Sequence, residues 1–95
     1  MAVINVTKPL QLVTAGNTDN NTITFGSFGQ AATFKVRIYV IAGPIAFNLN
    51  ATAAVGTGNV TARDTIEFML RDGIDTINFD QTASGDSFFI SVQPY

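Results

Sequence analysis

Along Thr33 to Ala51, TFKVRIYVIAGPIAFNLNA, apolar and polar residues alternate. Phe34, Val36, Ile38 and Val40 hold one parity, and Lys35, Arg37 and Tyr39 hold the other. A strand turns successive side chains to opposite faces, so this pattern describes a strand with one buried face; a helix would scatter the two charges around its surface. A membrane-spanning helix needs about 20 apolar residues with few charges, and Lys35 and Arg37 lie inside this run. Gly43-Pro44 interrupts it, and Ile45, Phe47 and Leu49 then alternate with Ala46, Asn48 and Asn50. The pattern predicts a hairpin of two long strands, each burying one face, with Gly43-Pro44 as the turn.

The rest of the chain also reads as strand. Val3 to Thr7 is short and ends at Lys8-Pro9, where a proline fits a strand end or an edge. Leu10 to Thr14 follows, with Leu10 and Leu12 on one parity. AGNTDNN, Ala15 to Asn21, is a polar loop of turn formers. Thr22 to Phe25 is a third strand, and GSFGQAA leads from it to the long apolar run. ATAAVGTGNVTARD, Ala51 to Asp64, is the longest connection and holds a weak strand near Val60; the eleven polar and Ala-rich residues after Leu49 are the expected crossing between two sheets. Thr65 to Arg71 sets Ile66, Phe68 and Leu70 against Glu67 and Met69. Asp72-Gly73 is a hairpin signal, and Thr76 to Asp80 then places Ile77 and Phe79 on one face. After a turn at Gly85, Phe88, Ile90 and Val92 oppose Phe89, Ser91 and Gln93, ahead of Pro94. About eight short strands with regular turns and no helical stretch predict an all-β antiparallel β-sandwich, jelly-roll-like. It forms a single domain, 1–95, in which residues 1–14 are an N-terminal arm or edge strand. No internal repeat is present.

Composition narrows the chemistry. The chain has 95 residues with no cysteine and no histidine, which removes disulfides, the usual zinc and copper ligands, histidine acid–base catalysis and cysteine nucleophiles. Its net charge is −2, and Lys8, Lys35, Arg37, Arg63 and Arg71 form no cluster, so a nucleic-acid partner is not expected. The N-terminus, MAVINVTKPLQ, lacks the basic start and apolar core of a secretory signal, and use without export is the expectation. Charged residues make up 13% of the chain, against a usual figure of about 25%. A small domain with so few charges has surface that is neither charged nor inside its own core. Burial of that surface in an assembly is the expectation.

The acidic residues do not compose a site. Asp72, Asp75 and Asp80 lack the order of a calcium loop, which ends in Glu, and read as a polar turn. Asp64, beside Arg63, begins a strand with local pairing. Glu67 points outward, opposite Lys35 or Arg37, where exposed charge pairs contribute little. Two carboxylates suffice for glycoside hydrolysis, but all the acids except Glu67 fall in or beside turns, so no enzyme, no metal and no cofactor is expected. The four Asn-X-Thr sequons, at Asn5, Asn20, Asn50 and Asn59, follow from abundant Asn and Thr. The residues expected at a protein interface are Val3, Ile4 and Val6, which can pair in trans along a sheet edge, with Phe28, Phe89 and Tyr95. Phe28 sits between glycines, where it either caps the sandwich or docks on a partner. Phe88 and Phe89 must face opposite ways, so one needs a cover. Tyr95 has an apolar ring and a wet tip.

The passages FKVRIYVIAGPIAFNLN, DTIEFMLRDGIDTINF and GDSFFISV, in a small cysteine-free all-β chain, resemble virion proteins of tailed bacteriophages, in particular capsid decoration, or cement, proteins. The resemblance runs from Thr33 to Val92 and is one of pattern, without a diagnostic motif. It implies a β-sandwich bound outside an icosahedral shell at junctions between capsomers, acting as a homodimer or homotrimer and reinforcing the shell. The implied partner is the major capsid protein, and the implied location is the virion, from protein made in the host cytoplasm. No functional residue carries over by position; Lys8, Arg63 and Arg71 are offered to acidic groups on such a shell. A tail, neck or fibre subunit is the main variant of this reading. A lectin-like carbohydrate-binding module, using the Asn- and Thr-rich surface, is the alternative of another class.

Overall fold

Alternating β-branched and aromatic residues build nine strands among the described residues. In this computed structural model, the residues described are 3–14, 21–25, 33–51, 53, 59–71, 73–81 and 85–94. The strands are β1 (Val3–Val6), β2 (Leu10–Thr14), β3 (Asn21–Phe25), β4 (Thr33–Ala42), β5 (Ile45–Leu49), β6 (Asn59–Val60), β7 (Thr65–Arg71), β8 (Ile77–Gln81) and β9 (Ser87–Pro94). They form two sheets. Sheet I runs β1-β3-β8-β5-β6, and sheet II runs β2-β9-β4-β7. Among the described residues no helix is long and apolar enough to cross a membrane.

The pairings follow one scheme. β2 pairs with β9, β3 with β8, β4 with β7 and β5 with β6, all antiparallel. Those are the rungs of a single long hairpin. Rolling it up adds the contacts of β4 with β9 and of β5 with β8, which completes a two-sheet β-sandwich. β1 is added outside this scheme, parallel to β3. The chain changes sheet at every connection except β5 to β6.

This corrects two expected hairpins. β4 and β5 do not pair, because they lie in different sheets. Gly43-Pro44, a cis peptide, carries the chain across the sandwich rather than back along one sheet. A Cβ at Gly43 would lie 3.0 Å from both the Ile45 nitrogen and Val40 Cγ1, so glycine permits that close passage. Likewise Gly73, at φ 72°, turns the chain from β7 in sheet II to β8 in sheet I. The crossing expected in the eleven residues after Leu49 does not fall there. β5 and β6 share sheet I, and the change of sheet falls between Val60 and Thr65. There the Val40 N–H donates to the Asp64 carbonyl at 3.0 Å and the Arg63 N–H donates to the Val40 carbonyl at 2.7 Å, with Arg63 at φ 71°.

The core lies between the sheets. Ile23, Ile45, Ile77 and Phe79 of sheet I meet Val36, Ile38, Phe88 and Ile90 of sheet II, and all are fully or almost fully buried. Three rings lock the layers together. Phe88 of sheet II stands edge-on to Phe47 and Phe79 of sheet I, each at a centroid distance of 5.2 Å. Such pairs add about 0.5–1.5 kcal/mol beyond the burial itself. Within this apolar layer, Asn21 donates from Nδ2 to Gln81 Oε1 at 2.7 Å. Both residues are buried, where an amide without a hydrogen bond would be costly.

The outer faces and the candidate interface

Cross-strand register decides which outward side chains become neighbours. On sheet II, Leu12 lies opposite Phe89 and Phe89 opposite Tyr39. Directly opposed residues in antiparallel strands point to the same side of the sheet, so these three form one row across β2, β9 and β4. All are exposed, at 53%, 40% and 40%. Leu10 and Ile41 extend the patch along β2 and β4 from the row, and both are exposed.

The next row turns polar beyond Leu10. Leu10 faces Ser91, Ser91 faces Arg37 and Arg37 faces Glu67. Arg37 donates from Nε to Glu67 Oε1 at 2.8 Å, and Lys35 Nζ lies 3.4 Å from Glu67 Oε2. The Arg37 hydrogen bond, aided by the charges of Arg37 and Lys35, holds the Glu67 carboxyl below its ordinary pKa. Beside this row, Leu10, Lys35, Arg37, Ser91 and Gln93 line a groove of about 280 Å³. The outward placement of Glu67, opposite Arg37, is as the alternation predicts.

The outer face of sheet I is different. Thr22 donates to Asn78 Oδ1 at 2.9 Å, Thr24 donates to Asn5 Oδ1 at 3.3 Å, and Asn78 Nδ2 donates to the Ala51 carbonyl at 2.6 Å. These side chains satisfy one another laterally.

One end of the sandwich is fastened by Asp75. Its carboxylate accepts from Arg71 Nε at 3.0 Å, Arg71 Nη2 at 2.9 Å, the Arg71 backbone N–H at 2.8 Å and Asn50 Nδ2 at 2.8 Å. The Arg71 guanidinium first, then Asn50 and the Arg71 N–H, hold the carboxyl well below the usual carboxylate range. Asn50, at φ 57°, also accepts from the Thr76 N–H at 2.9 Å. A cavity of about 200 Å³, lined in part by Phe25, Phe34, Arg71 and Ile74, opens beside this cluster. Asp75 is therefore a structural clamp, and the Arg71 offered to a shell is held by it. Asp64 does have a local partner: its carboxylate accepts from the Thr61 hydroxyl. Among the described residues no group of acidic side chains is arranged to hold a metal ion.

The expected interface residues separate. Phe89 is on the outer face of sheet II, and Phe88 fills the core. Val3 is exposed, at 61%. Ile4 is half-buried and packs against the core. Val6 is fully buried in this chain's own core, which removes it as a surface residue. β1 pairs with β3 of the same chain and stands at the end of sheet I. Phe28 and Tyr95 lie outside the described residues. Leu12 and Tyr39, which complete the row with Phe89, were not among the expected residues. Tyr39 shares the outward parity of Lys35 and Arg37, but nothing in the sequence gives the register that sets it beside Phe89 and Leu12.

Comparison with protein-family models, with curated proteins and with solved structures finds no match to this chain.

Proposed function

We propose that this chain is a non-enzymatic structural protein of a virion, most closely a capsid decoration (cement) protein, which docks the outer face of sheet II on the outer surface of a shell and stabilises it. The observation that carries the reading is the exposed row Leu12–Phe89–Tyr39 with Leu10 and Ile41 beside it. Interface centres are enriched in Tyr and Phe and poor in charge, with polar residues at the rim. Here the Lys35–Arg37–Glu67 group flanks the row as such a rim. The phage resemblance supplies the kind of partner, the major capsid protein, and the location, the virion.

The mechanism is binding alone. A protein that binds the assembled shell and not its separated subunits stabilises the shell by mass action, by about 2.7 kcal/mol at a hundredfold excess over Kd. The expected result is saturable co-sedimentation of the purified protein with shells stripped of it, together with a raised shell melting temperature. Protein left in the supernatant at all concentrations would contradict the reading. A second reading, a carbohydrate-binding module, rests on the chain's richness in Asn and Thr, and a broad glycan screen decides it. A blank screen removes it.

A further inference from the structure

Backbone groups at the sheet edges distinguish one strand from the rest. In an antiparallel pair, alternate residues turn N–H and C=O toward the partner strand and the others turn them away. The Val92 N–H donates to the Pro9 carbonyl at 2.8 Å. With the register of β2 on β9, Gln11 and Val13 therefore face β9, while Leu10, Leu12 and Thr14 turn their backbone groups to the open edge. Among the described residues nothing meets them there.

The other edges are short, partly taken or charged. By the same count from Val40 N–H to the Asp64 carbonyl, β7 turns Thr65, Glu67, Met69 and Arg71 outward. The Arg71 N–H is taken by the Asp75 carboxylate, and its carbonyl accepts from the N–H groups of Ile74 and Asp75. A second β7 centred on Glu67 would bring two carboxylates face to face. β6 has two residues. β1 has four residues and is followed by the Thr7 N–H, which donates to Gln11 Oε1 at 3.2 Å. Exposed edges are ordinarily blunted by charge, proline or a bulge, yet Leu10–Thr14, LQLVT, has none of these within it.

We propose that the open edge of β2 pairs with β2 of a second copy of this chain, antiparallel about a two-fold axis at Leu12. Centring on Leu12 engages all three outward residues of each copy: Leu12 meets Leu12, and Leu10 meets Thr14. That gives about six backbone hydrogen bonds. No charged side chain lies in either strand to oppose the pairing. The two outer faces fall on the same side of the joined sheet. The row Tyr39–Phe89–Leu12 then runs on into Leu12–Phe89–Tyr39 of the second copy, and at a strand spacing of about 4.8 Å its width grows from about 10 Å to about 24 Å. Five residues of edge contact fall short of the roughly 800 Å² per partner of a durable interface, so the pair is concentration-dependent.

The pairing touches the shell-docking reading only through the shared row. Its test needs no shell, so the two fail separately. Light scattering on the purified chain across a dilution series reads the mass, 10.1 kDa for one copy. The wild type moves toward twice that mass as concentration rises. Leu12→Lys and Leu12→Glu each stay at the single-copy mass, and an equimolar mixture of the two recovers the doubled mass. Far-ultraviolet circular dichroism checks that both variants keep the wild-type strand signal. A wild type that remains a single copy at every concentration, or a Leu12→Lys chain that doubles as the wild type does, overturns the proposal.

Discussion

On the outer face of sheet I, Thr22 binds Asn78 and Thr24 binds Asn5; on the outer face of sheet II, Leu12, Phe89 and Tyr39 lie side by side and exposed. Both faces are built from the outward parity of strands whose inward parity fills a single core. They differ in what remains after each face has satisfied itself. The Thr and Asn side chains spend donors and acceptors on one another, and water serves the rest. Aromatic and leucine side chains have no such lateral solution, and covering them is favourable by about 25 cal/mol per Å². Exposed apolar groups brought together by register indicate a contact surface in a way that single exposed residues do not.

Adjacent residues give the sharpest test of that difference. Phe88→Ala removes a ring that touches both Phe47 and Phe79, and the expected loss of stability is about 3–5 kcal/mol in urea unfolding. Phe89→Ala, one position along on the outer face, is expected to cost less than about 1 kcal/mol. Equal losses would mean that Phe89 is packed within the chain, and the contrast between the faces would collapse. On sheet I, Asn78→Ala deletes the acceptor of Thr22 and the donor to the Ala51 carbonyl. A loss of about 1 kcal/mol is expected by the same measurement. No change would show that the lateral bonds of that face are replaced by water at no cost.

The clamp at the end of the sandwich adds a pH dependence that neither face supplies. The folded-state pKa of Asp75 is depressed, so its contribution is fully present above the unfolded value of about 3.9 and is lost as pH falls through that value toward the lower folded one. The stability gap between the wild type and Asp75→Asn should therefore be widest near neutral pH and narrow below about pH 4. A gap that is constant from neutral to acid pH would show that the carboxylate charge is not what fastens Arg71 and Asn50.

Much of the fold is legible in the parity of individual strands. Phe34, Val36, Ile38 and Val40 face inward, Glu67 faces outward beside Arg37, and Phe88 and Phe89 divide between core and surface. Pairing is not legible in the same way. An alternating run, a Gly-Pro break and a second alternating run look alike whether the chain returns along one sheet or crosses to the other. Gly43-Pro44 and Asp72-Gly73 therefore read as hairpins where the chain changes sheet. The side that β2 buries is also hidden. Leu10 and Leu12 share the more apolar parity, yet Val13 is buried because it pairs with Phe88, while Gln11 turns back to the Thr7 N–H. The candidate interface inherits this blindness. Phe89 is recognisable as needing a cover, but Leu12 and Tyr39 join it only through long-range register.

The measurement closest to the central claim is the affinity of the protein for stripped shells, by co-sedimentation, with each outer face altered in turn. Phe89→Ser combined with Tyr39→Ser on sheet II is expected to weaken binding by about 100-fold or more, since truncating interface anchors commonly costs about 2 kcal/mol each. Val3→Ser, on an exposed side chain of sheet I, is expected to leave the affinity within about threefold, as befits a residue outside the contact. Loss of binding in Val3→Ser with retention in the double variant would contradict the account and assign the adhesive role to the other sheet.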